Sequence, residues 1–276
     1  MSSAPATSTT AKQGFGCMGI TAFYGTPMEE ADGVQLLLQV YKEGGVRHFD
    51  TAEVYRTGLF APLPEGEEVK FNEVVVGKFL KEVAGDRENI TVATKYYPGL
   101  HGGGCPKEAV LKAVDDSLER LGQQYVDIYY LHRLPEDHNV ADFMEAMKVA
   151  VEQGKVRAVG LSEASPAKIR EANEIFPVKY IQQEWSLLTR NLEEGVVPTC
   201  AELGITIVAY SPLARNLLTG VVTVQPTDFR ASQPRYAALP PGASKELKAL
   251  LKPFEACAGG LHSTTVSEVA KWHHSM

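Results

Sequence analysis

Four ionisable side chains stand where short β-like runs end. Asp50 closes VRHFD, Lys95 follows NITVAT and His132 follows VDIYYL, while Tyr55 lies five residues beyond Asp50. A free phenol, with a pKa near ~10, is a feeble acid at neutral pH. A neighbouring ammonium stabilises the phenolate and lowers that pKa, and a carboxylate beside the ammonium keeps it charged and in place. This combination makes Tyr55 a candidate general acid, Lys95 its tuner and Asp50 the anchor of the lysine. His132 would orient a carbonyl oxygen or share the proton. Such a site protonates an oxygen on which negative charge is growing, as carbonyl reduction requires. Taken singly, each residue has a blander reading: a satisfied structural histidine, a loop tyrosine, a solvated lysine, and a helix cap ahead of Thr51-Ala52-Glu53. Their joint occurrence at consecutive strand ends favours a site.

The elements that must position them alternate in type. Strands are predicted at Phe15–Gly19, Val46–Asp50, Asn89–Thr94, Val126–Leu131, Val156–Leu161, Val178–Gln182 and Ile205–Tyr210. Helices are predicted at Glu29–Glu43, Phe71–Val83, Lys107–Leu121, Val140–Gln153, from Ser165-Pro166 to about Asn173, and at Leu192–Leu203. Gly122, Gly154 and Gly204 supply natural stops, and Pro166 suits a first helical turn. The first helix places Leu36, Leu37, Val40 and Tyr41 near one face, and the second places Val74, Val75, Phe79 and Leu80 on one side. Strands separated by helices imply a parallel sheet. With no break in composition, the reading is an α/β fold: a (β/α)8 TIM-type barrel in one domain over residues 14–276, behind a disordered tail at residues 1–13. In such a barrel the C-terminal strand ends share one face. That face would also receive Ser162-Glu163, Gln183-Glu184 and Tyr210-Ser211. Loops at Thr57–Val69 and Val221–Ser244, the latter with four prolines, break the rhythm and are the natural seat of pocket specificity.

Composition narrows the classes. The chain has 276 residues, 44% hydrophobic and 22% charged, with a formal net charge of −7. A mildly acidic chain is a poor polyanion binder, so neither nucleic acid nor an anionic membrane is expected as a partner. No run approaches the ~18 apolar residues of a membrane span. The four cysteines, Cys17, Cys105, Cys200 and Cys257, form no Cys-x-x-Cys pair, so no zinc site or disulfide frame is predicted. Free thiols fit a reducing compartment. The Ser/Thr/Ala-rich start has neither the apolar stretch of a secretory signal nor the arginines of a transit peptide, and a cytoplasmic location is the default.

Seven stretches carry a resemblance: GFGCMGITAFYG at 14–25, FDTAEVY at 49–55, VATK at 92–95, YVDIYYLHR at 125–133, VGLSE at 159–163, QQEWSLLTR at 182–190 and AYSPLARNLLTG at 209–220. On these the chain resembles the aldo-keto reductase superfamily from about Gly14 to Gly220. The AFYG variant is similar to the plant and microbial branch with auxin-induced-like and pyridoxal or perakine reductase-like members. The resemblance implies hydride transfer from a nicotinamide cofactor, usually NADPH, with NADH still open, to a small-molecule aldehyde or ketone. It maps a catalytic tetrad onto Asp50, Tyr55, Lys95 and His132. It maps carboxamide contacts onto Ser162 and Gln183 and the stacking aromatic onto Tyr210. Ser211, Leu213 and Arg215 match the loop along the pyrophosphate, and Gly19 and Ile20 the first-strand residues beside the nicotinamide ribose.

The sequence also departs from that pattern. Thr264 to Ala270 reads as the start of a seventh helix, and no eighth strand is read before KWHHSM. The expectation is therefore a barrel missing its eighth β/α unit, with strands one and seven as edges and the adenosine end of the cofactor site absent. No floor-plugging hairpin is visible before Gly14. Two other readings stay open: a cofactor-binding regulatory subunit resembling ion-channel β-subunits, and a truncated inactive homologue. The oligomeric state is not read. Gly14, Gly16 and Gly19 match G-x-G-x-x-G, but Ile20 to Pro27 is loop-like where a dinucleotide fold needs a helix. The glycines are read instead as allowing close approach in a barrel strand. Glu163 and Glu184 are read as structural acceptors, His101-Gly-Gly-Gly104 as a flexible loop, and Trp272, His273 and His274 as a tail rather than a metal site.

Overall fold

The structure, a computed structural model, describes residues 13–59, 63, 65–135, 138–215 and 228–232. Its strands are β1 (Gly14–Gly16), β2 (His48–Asp50), β3 (Thr91–Tyr96), β4 (Val126–Leu131), β5 (Val156–Ser162), β6 (Val178–Glu184) and β7 (Thr206–Tyr210). The helices are α1 (Glu30–Lys42), α2 (Asn72–Glu82), α3 (Lys107–Leu121), α4 (Ala141–Glu152), α5 (Pro166–Ile175) and α6 (Val196–Leu203). The strands pair in parallel in chain order, β1 through β7. The sheet curls into a barrel: Gln182 on β6 crosses the interior to reach Asp50 on β2 at 2.7 Å.

Alternation along the strands divides the side chains into two sets. Phe49, Val92, Tyr96, Tyr129, Leu131, Val159, Leu161 and Ile181 face outward and join one buried core with helix residues such as Leu37, Phe79 and Phe143. Each fully buried Leu, Ile or Phe contributes ~1.5–3 kcal/mol relative to exposure. Ala93, Ile128, Tyr130 and Tyr180 face inward and pack together. Gly160 is required there, because a Cβ at that position would lie 2.3 Å from the Tyr130 ring.

Local signals act as the sequence suggests at several ends. Gly122 closes α3 in a left-handed conformation at φ 61°, and the Ser165 hydroxyl accepts the Lys168 N–H to start α5. Other expectations shift. The first strand stops at Gly16, and Gly19 falls in a 3-10 turn over Met18–Ile20 instead of the strand. The buried face of α1 is Gly33, Val34, Leu37 and Leu38; Leu36, Val40 and Tyr41 only pack on its margin. In α2 it is Val76, not Val74, that completes the face with Val75, Phe79 and Leu80. The predicted start of α6 is a separate 3-10 turn at Asn191–Glu194.

The tail at residues 1–12, the Thr264–Ala270 stretch, the Trp272-His273-His274 group and the question of an eighth unit lie outside the described residues. Among the described residues β1 and β7 stand at the two ends of the strand order. Among them, too, no helix is long and apolar enough to cross a membrane. Cys17, Cys105 and Cys200 are free and buried.

Candidate active site

The inward set of side chains climbs the barrel to a polar layer at its C-terminal end. Lys95 sits on β3 with its side chain fully buried, and its ammonium donates to the Asp50 carboxylate and, at 2.7 Å, to the Thr51 carbonyl. The second oxygen of Asp50 accepts from the Gln182 amide. Burial pushes the Lys95 ammonium below its ordinary pKa, and the Asp50 charge opposes that shift.

Tyr55 rides the loop after β2, which short bonds weld to its surroundings. Thr51 N–H donates to Ala93 O at 2.8 Å, and Tyr55 O accepts from Asn72 N–H at 2.8 Å and from the Thr21 hydroxyl at 3.1 Å. The phenol ring lies over Lys95, with the ammonium 5.0 Å from its centroid. It meets the His132 ring edge-on at 5.6 Å. His132 directly follows β4; its backbone N–H donates to Tyr96 O and its Nδ1 is buried with no protein partner. Burial, then the Lys95 and Arg133 charges, hold its pKa well below the ordinary value, so the imidazole is neutral. The four tetrad residues are thus brought together.

The expected lowering of the Tyr55 pKa is corrected. Burial, reinforced by the Asp50 charge, raises it well above its ordinary value, with Arg133 opposing. The ammonium is held by Asp50 and Thr51, the carboxylate offsets part of its pull on the phenol, and burial decides the direction.

Among the cofactor candidates, Ser162 ends β5 on the inward face, and its hydroxyl accepts from Arg133 at 2.8 Å. Tyr210 ends β7, and its hydroxyl accepts from the same guanidinium at 3.2 Å. Gln183 is not brought to the cluster. Neighbouring strand residues point to opposite faces, so Gln182 faces Asp50 while Gln183 turns outward, its Oε1 buried without a partner. Ile20 also stays away: its side chain packs in the helix-facing core, and its N–H and C=O pair with Cys17 O and Met28 N. Gly19 lies beside the Tyr24 ring.

Backbone strain marks the same end of the barrel. Among the described residues, the non-glycine positions at positive φ are Phe23, Glu163, Ser211, Ala214 and Arg215, all on loops that follow strands β1, β5 and β7. Such conformations gather at ligand-binding loops. Leu213 and Arg215 share the last of these loops, and Arg215 pairs with Glu184 at 3.0 Å. Glu163 accepts the Glu184 N–H, as read for a structural acceptor. Residues 228–232 close over the first loop: Phe229 donates its N–H to Phe23 O and packs edge-on with Phe23 and Tyr24. Phe23 in turn packs edge-on against Tyr55.

Several members escaped the sequence reading. Gln182 stands one residue before the Gln183 that the resemblance implies, and it is the Gln182 amide that reaches Asp50. Arg133 stood in the quoted YVDIYYLHR stretch without a role. Glu53 accepts Tyr97 N–H at 2.6 Å and contacts His101 Nε2 at 3.1 Å, tying the loop after β3 to the loop carrying Tyr55. His101 stacks on Tyr96.

Asn72 is the buried keystone of the Tyr55 loop. Its Oδ1 accepts from the Thr51 hydroxyl at 2.6 Å, and its Nδ2 donates to Cys17 O at 2.8 Å and to the Thr21 hydroxyl at 3.0 Å. Asn72→Ala strands these buried groups and is expected to destabilise by about 2–3 kcal/mol. Urea denaturation checks this as a lowered midpoint at unchanged slope. If Tyr55 is the acid, kcat falls more than KM changes, because Asn72 acts only through the loop.

The comparisons follow from this geometry. The Aldo/keto reductase family model matches residues 13–274. A Glycine max protein named probable aldo-keto reductase 1 is 41% identical over 236 residues, 82% of this chain; the chain spans 64% of that relative's length. The chain superposes on the glycerol dehydrogenase of Gluconobacter oxydans with a TM-score of 0.75 at 23% identity, covering 95% of this chain and 78% of that one, a likeness of fold. It also superposes on an aldo-keto reductase from Klebsiella pneumoniae solved in complex with NADPH, with a TM-score of 0.59 at 26% identity, covering 74% and 64% of the two chains. With a family match along nearly its whole length and a buried Asp–Lys pair beneath a tyrosine and a histidine at the barrel mouth, the chain belongs to the aldo/keto reductase family.

Proposed function

We propose that the protein reduces aldehydes or ketones to alcohols with NADPH, Tyr55 delivering the proton. The observation that carries this reading is the Lys95–Asp50 pair sealed beneath the Tyr55 ring, with His132 at its edge. When bound, the cofactor supplies hydride to the carbonyl carbon. The residues present fit such a group: the Ser162 hydroxyl and Tyr210 ring flank the mouth, and the strained loop from Ser211 to Arg215 runs beyond them. The Klebsiella relative, solved with NADPH, supports the choice of cofactor.

Neutral His132 orients the carbonyl oxygen without competing as a charge. Tyr55, kept protonated by burial, holds its proton until the oxygen becomes an alkoxide, a far stronger base than phenolate. The ammonium below then stabilises the phenolate left behind. Asp50 and Gln182 hold that ammonium in place. Contacts to the cofactor are assigned to Ser162, Tyr210, Ser211, Leu213 and Arg215, with Gln182 in place of Gln183.

Incubation with NADPH and 4-nitrobenzaldehyde is expected to consume cofactor and yield the alcohol, with turnover in the ordinary range of ~1–10³ per second. Turnover far slower than one per hour, with NADPH bound, would count against the enzyme and for a regulatory subunit.

A further inference from the structure

We propose that the site selects carbonyl substrates bearing a carboxylate, held by Arg133. This rests on the carbonyl-reducing function and names its substrate class. Arg133 follows His132 at the end of β4. Its Nη1 donates to His132 O at 2.9 Å and to the Ser162 hydroxyl at 2.8 Å, and its Nη2 donates to the Tyr210 hydroxyl at 3.2 Å. All these acceptors are neutral. Arg120, Arg215 and Arg230, also shielded from solvent, each have a carboxylate within 3.0 Å. Among the described residues Arg133 has no such partner, and its hydrogen bonds all come from Nη1 and Nη2.

The neighbouring charges are spent elsewhere. Asp50 is neutralised by Lys95 and Glu184 by Arg215, while Glu163 accepts the Glu184 N–H and is linked to Arg133 only through the shared Tyr210 hydroxyl, with no direct ion pair between them. The Arg133 charge nonetheless reaches the chemistry, since it is felt at Tyr55, Lys95 and His132. A half-buried guanidinium without a counter-ion is unfavourable, and its planar fork matches a carboxylate. The fork bridges the His132 backbone carbonyl and the Tyr210 hydroxyl, so it lies one residue along the chain from the imidazole assigned to the carbonyl oxygen. A ligand that takes the Ser162 and Tyr210 hydroxyls leaves more of its N–H groups to the substrate. The negative group that completes the site is therefore one attached to the reacting carbonyl compound.

The experiment compares 4-carboxybenzaldehyde with its neutral isostere, methyl 4-formylbenzoate, in the presence of NADPH. One charge-assisted pairing predicts a preference of ~10–100-fold for the acid in kcat/KM, carried by KM. In Arg133→Met that ratio falls to about one, and Arg133→Lys restores part of it through the retained charge. Calorimetric titration of the two aldehydes into the protein with NADP+ gives the same ranking without turnover. Equal affinity and equal kcat/KM for acid and ester in the wild type overturn the proposal. So does an Arg133→Met variant that loses NADPH affinity but keeps the acid preference, which assigns the arginine to the cofactor. Reduction of neither aldehyde, with the acid still bound preferentially, overturns the carbonyl-reducing function and leaves the carboxylate site standing.

Discussion

Tyr55→Phe is expected to lower carbonyl reduction by ~10²–10⁴-fold, the range for loss of a positioned general acid. The substitution removes only the hydroxyl. The ring keeps its edge contacts with Phe23 and His132 and its place above Lys95. The backbone anchors from Asn72 and Thr21 do not involve the phenol at all. The fold and cofactor affinity should therefore be preserved, so the loss belongs to the chemical step. Single-turnover measurements with pre-bound NADPH check it, alongside a fluorescence titration of NADPH. A variant that turns over at close to the wild-type rate would remove Tyr55 from the mechanism.

Lys95→Met should produce the largest combined effect. The lysine is wholly buried, and the Asp50 carboxylate beneath it would keep only the Gln182 amide. Breaking a buried pair from one side leaves an unpaired charge and costs about 3–5 kcal/mol. At about 2–4 °C per kcal/mol for a large domain, that corresponds to a fall in Tm of roughly 6–20 °C. Removing both charges avoids the stranded ion, so Asp50→Asn combined with Lys95→Met should recover much of the lost stability. It should not recover turnover, because the ammonium that supports the Tyr55 phenolate is gone. Thermal melts of the two singles and the double variant separate the effects. A double variant no more stable than Lys95→Met alone would show that the pair does not hold this layer together.

In the proposed mechanism the rise of the Tyr55 pKa changes how the acid would work. A lowered pKa would let a fraction of the phenol ionise in the free protein. A raised one would keep the proton in place until the substrate oxygen became basic. Burial sets this direction, and burial follows from the loop being pinned under Phe23 and over Lys95.

Much of the architecture was legible in the chain itself. Helices announce themselves by apolar spacing and by stops such as Gly122 and Gly204, because those cues act within a few residues. The tetrad was legible for a related reason: a parallel barrel sends every strand's C-terminal end to one face, so residue type at strand ends is enough to nominate Asp50, Lys95 and His132. Parity within a strand buried on both sides was not legible. In VKYIQQE both faces are covered, so hydrophobicity does not say whether Gln182 or Gln183 looks inward; only the curl that carries β6 across to Asp50 decides it. The same holds for Arg133, whose meaning lies in acceptors 29 and 77 residues away, Ser162 and Tyr210. Local order is written in neighbours along the chain, whereas the balance of charge, burial and hydrogen bonds at the mouth is set by groups that only the closed barrel brings within reach.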